Sequence, residues 1–328
     1  MKYRPWGAVN WALSLSSQKE WGFIGVIGTE DRSLCAWAVM RQQGVVATEL
    51  FAEIHDVDSE KYRNRNMSAL EGNRTKLTNN GGKLTTIFDF DLMTELFRIQ
   101  AFAKEASKGH TSLVLDITSF PKRFFFPILK VLVTNPSIKN LIVTYTSPEY
   151  YADDAPLYED IDSWKTLPGF GEMDKPDTTW IVSVGFLVES LRRYVGDHPN
   201  EKMKILIPFP APLGTLRRTW HSVAELEREH IDHRFEKYRV DSVDMSAAFN
   251  RICSLAENPL KNVAFAPLGP KPTSASMCLY ALQRHSSMHY PQPTIYHPDY
   301  SKGIRNNDPE NAVCAYWIKH EGEFLYKL

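Results

Sequence analysis

The stretch Ser112-Leu113-Val114-Leu115-Asp116-Ile117-Thr118-Ser119-Phe120-Pro121-Lys122 decides the fold. Apart from Asp116, its run from Leu113 to Ile117 is continuously apolar, as in a strand buried on both faces at the centre of a parallel sheet. Pro121 fits the first turn of a helix, where its missing N–H would be unpaired anyway. The apolar residues 124–134 read as that helix, and residues 141–146 as a second buried strand. Strand, helix, strand is a parallel βαβ unit.

Working outward, residues 23–28 form a first strand, followed by the polar turn Thr29-Glu30-Asp31-Arg32, a helix over 33–42 and a strand over 45–55. Residues 58–83, rich in Asn, Arg, Lys and Gly, read as an inserted loop. A strand over 84–90 and an amphipathic helix over 92–107 follow, the helix carrying Leu92, Leu96, Ile99 and Phe102 on one face and ending before Gly109. Residues 152–177 are acidic, aromatic and rich in Pro and Gly. Residues 152–203 therefore read as a connecting segment, containing a strand over 180–186 and a short helix over 187–194. A second half, 204–328, gives strands at 204–208, 235–240, 263–266 and 294–297. Its helices fall at 215–230, 245–256 and 273–284, and a hairpin over 312–326 turns at Gly322. The expected fold class is α/β: two tandem Rossmann-like units, 1–151 and 204–328, with mostly parallel sheets.

The two halves share a local pattern. Residues 113–122, a helix, then Ile142 to Tyr150 read strand, Pro-Lys, helix, strand, Pro-Glu-Tyr. Residues 263–271, a helix, then Thr294 to Tyr300 read strand, Pro-Lys, helix, strand, Pro-Asp-Tyr. Pro121 to Pro148 spans 27 positions and Pro270 to Pro298 spans 28. Matched motifs at matched spacing predict internal duplication, which would bring the equivalent turns towards a shared cleft.

Composition narrows the functions. Lys+Arg number 38 and Asp+Glu 39, a net charge of −1, without the basic excess that broad nucleic-acid binding needs. The four cysteines, Cys35, Cys253, Cys278 and Cys314, are scattered without a CxxC pair, so no disulfide framework or zinc site is expected. The N-terminal residues carry no apolar run long enough for a signal peptide or a membrane span, and the expected location is the cytoplasm. No metal and no cofactor is called for: His230 and His233 lie near one another but complete no ligand set, and no GxGxxG, P-loop, GxSxG or HExxH is present.

The Pro-Lys turns carry the chemistry. Ligands of open parallel sheets bind beyond the carboxyl ends of the strands, where helix N-termini favour anions. Lys122 and Lys271 would each offer a compact positive charge to a phosphate oxygen. Thr118 and Ser119 in one half, and Thr273 and Ser274 in the other, would add hydroxyl donors, and Gly269 would admit a ligand close to the backbone. Arg217 and Arg218, early in a helix, would support them, with Thr29, Asp31 and Arg32 in the corresponding place of the first half. Tyr150 and Tyr300 would stack on a base. For each single turn the plain alternative is a helix start with a solvated lysine. Asp116 is a conceivable general base, but nothing supplies it with a nucleophile.

The strand–turn–Lys–helix element, present twice, resembles the CARF-like Rossmann sensors of prokaryotic antiviral systems and the related SAVED arrangement, in which two such units are fused. Thr118-Ser119-Phe120-Pro121-Lys122 and Leu268-Gly269-Pro270-Lys271 stand where that family holds a cyclic oligonucleotide. The usual Gly-Gly-Thr-Lys wording is missing, and Phe120 with Pro121 would crowd a ligand, so the second half is the better expected pocket. The resemblance implies a ligand sensor recognising a phosphate-bearing, nucleotide-like molecule in a cleft between the halves and signalling through a protein partner. Two other readings stand beside it. One is a non-catalytic subunit of a larger defence complex, docking through 58–83 and 152–177 with Trp164 and Phe170. The other is a nucleotide phosphodiesterase.

Overall fold

A computed structural model of the chain describes residues 3–56, 60–151, 158–161, 163–171, 178–185, 188–197, 202–210, 215–233, 235–256 and 262–328. Two compact units emerge: Met1–Asp160 with Thr294–Lys327, and Ile161–Pro293 with Leu328. The first unit opens with β1 (Trp6–Ala8), α1 (Val9–Ser14), β2 (Trp21–Val26), α2 (Cys35–Gln42), β3 (Val46–His55) and α3 (Arg63–Asn79). It continues with β4 (Ile87–Asp91), α4 (Leu96–Ser107), β5 (Ser112–Asp116), α5 (Lys122–Thr134), β6 (Asn140–Thr146), β7 (Tyr150–Tyr151) and β8 (Tyr158–Ile161). The second unit holds β9 (Lys165–Thr166), β10 (Thr179–Ser183), α6 (Val188–Asp197), β11 (Lys202–Pro208), α7 (Thr215–Glu229) and β12 (Phe235–Val240). It ends with α8 (Met245–Leu255), β13 (Val263–Pro267), α9 (Lys271–Arg284) and β14 (Ser287–Tyr290). The chain then returns to the first unit through β15 (Pro293–Tyr296), β16 (Ser301–Lys302), α10 (Pro309–Ala312), β17 (Val313–His320) and β18 (Glu323–Phe324).

The first sheet runs β1-β17-β6-β5-β2-β3-β4. Its strands β4, β3, β2, β5 and β6 are parallel, with β17 and then β1 added antiparallel at the edge. Gly322, at φ +86°, turns β17 back into β18. The second sheet runs β12-β11-β10-β13-β14-β9, parallel except for β9. In each unit the five parallel strands lie third, second, first, fourth, fifth in order of appearance. That order, with helices as crossovers, is Rossmann-like, so the α/β class with mostly parallel sheets holds.

Buried runs explain the central strands. Every residue of β2, β5, β6, β10 and β13 is buried, as parallel strands covered on both faces require. In the first unit Trp21 meets Trp317 edge-on with centroids 5.7 Å apart, and Trp37 of α2 meets Phe51 in the same way at 6.0 Å. Helix α5 buries Phe124, Phe125, Phe126, Ile128, Leu129 and Leu132. Among the described residues no helix is long and apolar enough to cross a membrane.

Four expectations change. The stretch 58–83 is not a loop: residues 63–79 form α3, the crossover that parallel β3 and β4 need between them, with 57–59 outside the described residues. Only Asn73 and Leu77 of α3 are buried, so no apolar stripe marks it. The segment 152–203 is not merely connecting, because β10 within it pairs with both β11 and β13 and is the central strand of its sheet. Of that segment, residues 152–157, 162, 172–177, 186–187 and 198–201 lie outside the described residues. The fifth strand of the second unit is β14 rather than 294–297. The final hairpin belongs to the first sheet, so the unit boundaries 1–151 and 204–328 give way. The matched 27- and 28-residue spacings therefore do not join equivalent elements, although both Pro-Lys turns do lead from the fourth strand of a sheet into its next helix.

Helix α3 docks through one side chain. Asn73 Nδ2 donates to Gly28 O at 2.7 Å, Glu30 O at 3.1 Å and Ser33 Oγ at 3.3 Å, fastening the turn after β2. Asn73→Ala should strand these acceptors and lower stability by about 1–3 kcal/mol. Urea unfolding of the variant would read this, and an unchanged midpoint would remove Asn73 as the fastening.

Candidate functional site

In this strand order, first and fourth strands are neighbours whose helices leave on opposite faces, which opens a crevice beyond their carboxyl ends. In the first unit those strands are β2 and β5. Gly28 follows β2 and lies against Ser119: a Cβ on Gly28 would stand 3.2 Å from Ser119 Cβ. Among the described residues the buried Ser119 hydroxyl has no hydrogen-bond partner. Three residues on, Lys122 opens α5 at 7% exposure, and no acidic residue occupies that helix's first turn.

Beside this point lies a closed polar lattice. Asp116, 1% exposed, accepts from Thr118 N at 3.2 Å, Thr118 Oγ1 at 2.5 Å and Thr144 Oγ1 at 3.1 Å. Thr118 Oγ1 in turn accepts from Thr146 N at 2.9 Å. These bonds tie the ends of β5 and β6 together. Asp116 is thereby a hydrogen-bonded member of that lattice.

The dominant charge is Arg32, in the turn after β2 and 2% exposed. Its Nε donates to Glu30 Oε2 at 2.7 Å and its Nη1 to Thr146 O at 2.5 Å, with the guanidinium carbon 5.6 Å from the centre of the Tyr145 ring. Burial opposes the charge, but Glu30 and the tyrosines around it outweigh that and hold the guanidinium firmly protonated. Tyr145 and Tyr151 share a hydroxyl–hydroxyl bond at 3.1 Å, and Tyr300 meets Tyr151 edge-on. Burial pushes the Tyr151 and Tyr300 phenols up.

A strap over 294–308 ties the loops at this end of the first sheet. Ser301 Oγ donates to Glu30, Tyr296 N to Asp56 Oδ2 at 3.2 Å, Arg305 N to Ser147 O at 3.1 Å and Asn306 N to Glu149. Arg65 of α3 pairs with Asp299, and β16 pairs with β7. The two Pro-acid-Tyr segments thus face each other within one unit instead of serving two pockets. Tyr150 is 48% exposed, whereas Tyr300 is packed on Tyr151.

The crevice of the second unit, between β10 and β13, is built from backbone. A Cβ on Gly185 would lie 2.6 Å from Leu268 O, and one on Gly269 would lie 2.8 Å from Val184 O. Gly269 N donates to Ser183 Oγ at 3.1 Å. The close approach that Gly269 permits is thus made by the chain itself. Ser274 Oγ bonds back to Pro270 O at 3.0 Å. Thr273, fully buried, has no partner for its hydroxyl among the described residues, and Lys271 at the head of α9 is half-buried. Arg217, exposed, and Arg218 lie in the first turn of α7, which follows β11, the second of the unit's parallel strands in chain order. Residues 211–214 before them lie outside the described residues. Trp164, half-buried, packs on Tyr194 with its indole N–H on Ser190 O at 3.0 Å.

The structure thus gathers Thr118, Ser119 and Lys122 at one crevice, and Gly269, Lys271, Thr273 and Ser274 at the equivalent place of the other unit. Glu30, Tyr145, Tyr151 and Asn73 escaped the sequence reading. The available signal was the charged turn Glu30-Asp31-Arg32 directly after the first strand.

No family model matches the chain, and no curated protein matches it. One solved structure similar to it is a ketoreductase domain from the bacillaene assembly line, at 12% identity over 87% of this chain and 69% of that one, with a TM-score of 0.22. A likeness of that size carries no argument, and the fold class rests on the strand order.

Two measurements check this geometry. Gly185→Ala and Gly269→Ala each push a methyl into backbone that cannot swing aside, and each should cost about 1–3 kcal/mol in denaturant unfolding; unchanged stability would rule out this backbone-on-backbone contact. Burial raises the Asp56 carboxyl to about 6, against the backbone bond from Tyr296 and the charge of His55. A raised folded value gives stability that is full below the unfolded value near 4 and lost as pH rises through 6. Asp56→Asn should therefore raise Tm at pH 7.5 and leave it unchanged at pH 3.5, whereas equal effects at both would exclude this ionisation.

Proposed function

We propose that the protein is a ligand sensor of the CARF-like kind, taking a phosphate-bearing, nucleotide-like ligand at the crevice between β2 and β5 of the first unit. The observation that carries the reading is the buried, unpartnered Ser119 hydroxyl at the first–fourth crossover, beside side-chain-free Gly28. A hydroxyl left so costs about 1–3 kcal/mol, which a phosphate oxygen accepting from it would offset. Lys122, at the head of α5, adds positive charge where the helix dipole already favours an anion. In the second unit Thr273, two positions after Lys271 in the first turn of α9, also has a buried hydroxyl without a partner among the described residues. Four free cysteines fit a reducing cytoplasm, and signalling would pass through a protein partner in a defence system, as the resemblance implies.

A second reading, a non-catalytic interaction subunit, is favoured by how little of Lys122 and of fully buried Phe120 reaches solvent. One experiment separates the two. A panel of linear and cyclic nucleotides should include a member that raises Tm, the stabilisation reaching about 2.7 kcal/mol at a hundredfold excess over Kd. Ser119→Ala and Lys122→Met should each diminish the shift. No shift with any phosphate ligand, alongside stable co-purification with another protein, would replace the sensor by the subunit.

A further inference from the structure

A second constellation lies at the carboxyl end of the first sheet, one strand away from the crevice. The register of β3 and β4 sets Glu53 directly opposite Asp89, and the two-residue period of a strand puts His55 on the same face as Glu53. His55 Nε2 lies 3.5 Å from Glu53 Oε1 and 3.6 Å from Asp89 Oδ1, and one ligand atom from each residue falls within 4.8 Å of the others. An ion held tetrahedrally at about 2.0–2.1 Å has ligand-to-ligand edges of about 3.3–3.4 Å. Two of the three edges are therefore close to a coordination polyhedron without any rearrangement.

The charges call for a cation as well. Carboxylates directly opposite each other across strands repel. Arg74 answers only one of them, donating to Glu53 from Nη2 at 2.8 Å and Nε at 3.0 Å, and it is itself shared with Glu71 at 3.5 Å. Among the described residues, the one group within ion-pairing distance of Asp89 is His55. The neighbouring charges on the same two strands are Asp91, opposite His55 in register, and Asp56 just beyond it, so the surroundings add negative charge. Arg74 then has the place of an outer-sphere group that orients a ligating carboxylate.

We propose that Glu53, His55 and Asp89 form a mononuclear site for a divalent transition metal, Zn²⁺ or Mn²⁺. One imidazole with two carboxylates suits these ions, whereas Ca²⁺ and Mg²⁺ take oxygen ligands and Cu(I) takes sulfur. The site is anchored on one side and open on the other. The Glu53 side chain is 2% exposed, His55 40% and Asp89 74%, so solvent or a substrate oxygen completes the shell. The proposal is independent of the phosphate site: Ile27 N donates to Ala52 O at 2.9 Å, which puts Glu53 on the strand beside the crevice but outside it.

The test uses the full chain, stripped with a chelator and dialysed, then titrated calorimetrically with ZnCl₂ or with MnCl₂ alone. One equivalent of one of these ions should bind. His55→Ala and Asp89→Asn should each weaken binding by about tenfold or more while leaving the chelator-treated Tm unchanged. Asp89 is exposed, so its variant reports even if His55→Ala does not fold. No saturable binding of either ion, or binding as tight in Asp89→Asn as in the parent, would overturn the site.

Discussion

The guanidinium of Arg32 is the constraint around which the carboxyl end of the first sheet is arranged. A buried cation must be paired and hydrogen-bonded or it is too costly to keep. Arg32 meets that demand from three directions: the Glu30 carboxylate, the Thr146 carbonyl and the face of Tyr145. Each partner then fixes something else. Glu30 also accepts from Ser301 of the strap, while the Thr146 amide passes the order on to Thr118 and Asp116. One cation thereby joins the turn after the first strand, the end of the fifth and the returning C-terminal segment.

The two units solve the same crossover differently. In the first, five positions separate Asp116 from Pro121, leaving room for Thr118 to enter the lattice and for Ser119 to face Gly28. In the second, three positions separate Pro267 from Pro270, and Gly185 and Gly269 bring backbone against backbone. At the shorter turn Ser183 Oγ caps Gly269 N. Polar side chains and fixed charge are thus richer at the first crossover, the reverse of what the glycine in Leu-Gly-Pro-Lys suggests when read as open space.

Most of the scaffold was legible because it is written locally. The apolar runs of β5, β6, β11 and β13 and the Pro-Lys helix starts need only neighbours in sequence. Helix α3 was not legible: it is polar on nearly every face, and its place is set by the crossover topology and by Asn73 reaching the Gly28 turn. The four residues of β14, Ser-Met-His-Tyr, are too short and mixed to announce a strand. The strap was invisible for another reason. Its partners, Glu30, Asp56, Arg65 and Glu149, lie more than 140 positions away from it in sequence, and no pattern along the chain records such pairings. Hence Pro-Asp-Tyr at 298–300 looked like the echo of Pro-Glu-Tyr at 148–150, when the residues just after it, Ser301 and Lys302, pair with Tyr151 and Tyr150 in one small sheet.

The energetics of strap and lattice differ in kind. The strap is held by backbone donors on carboxylates and by the ion pair of Arg65 with Asp299, whose cation is 56% exposed. Exposed pairs contribute about 0–1 kcal/mol each and weaken with salt. The lattice beneath, from Arg32 to Asp116, is buried, and breaking one of its members leaves a charge or a polar group without compensation. Local opening follows the least stable contacts, so the carboxyl end of the first sheet opens at the strap before the lattice yields. Tyr300, packed edge-on against Tyr151, and buried Ser301, bonded to Glu30, are contacts of the strap that do not depend on an exposed ion pair.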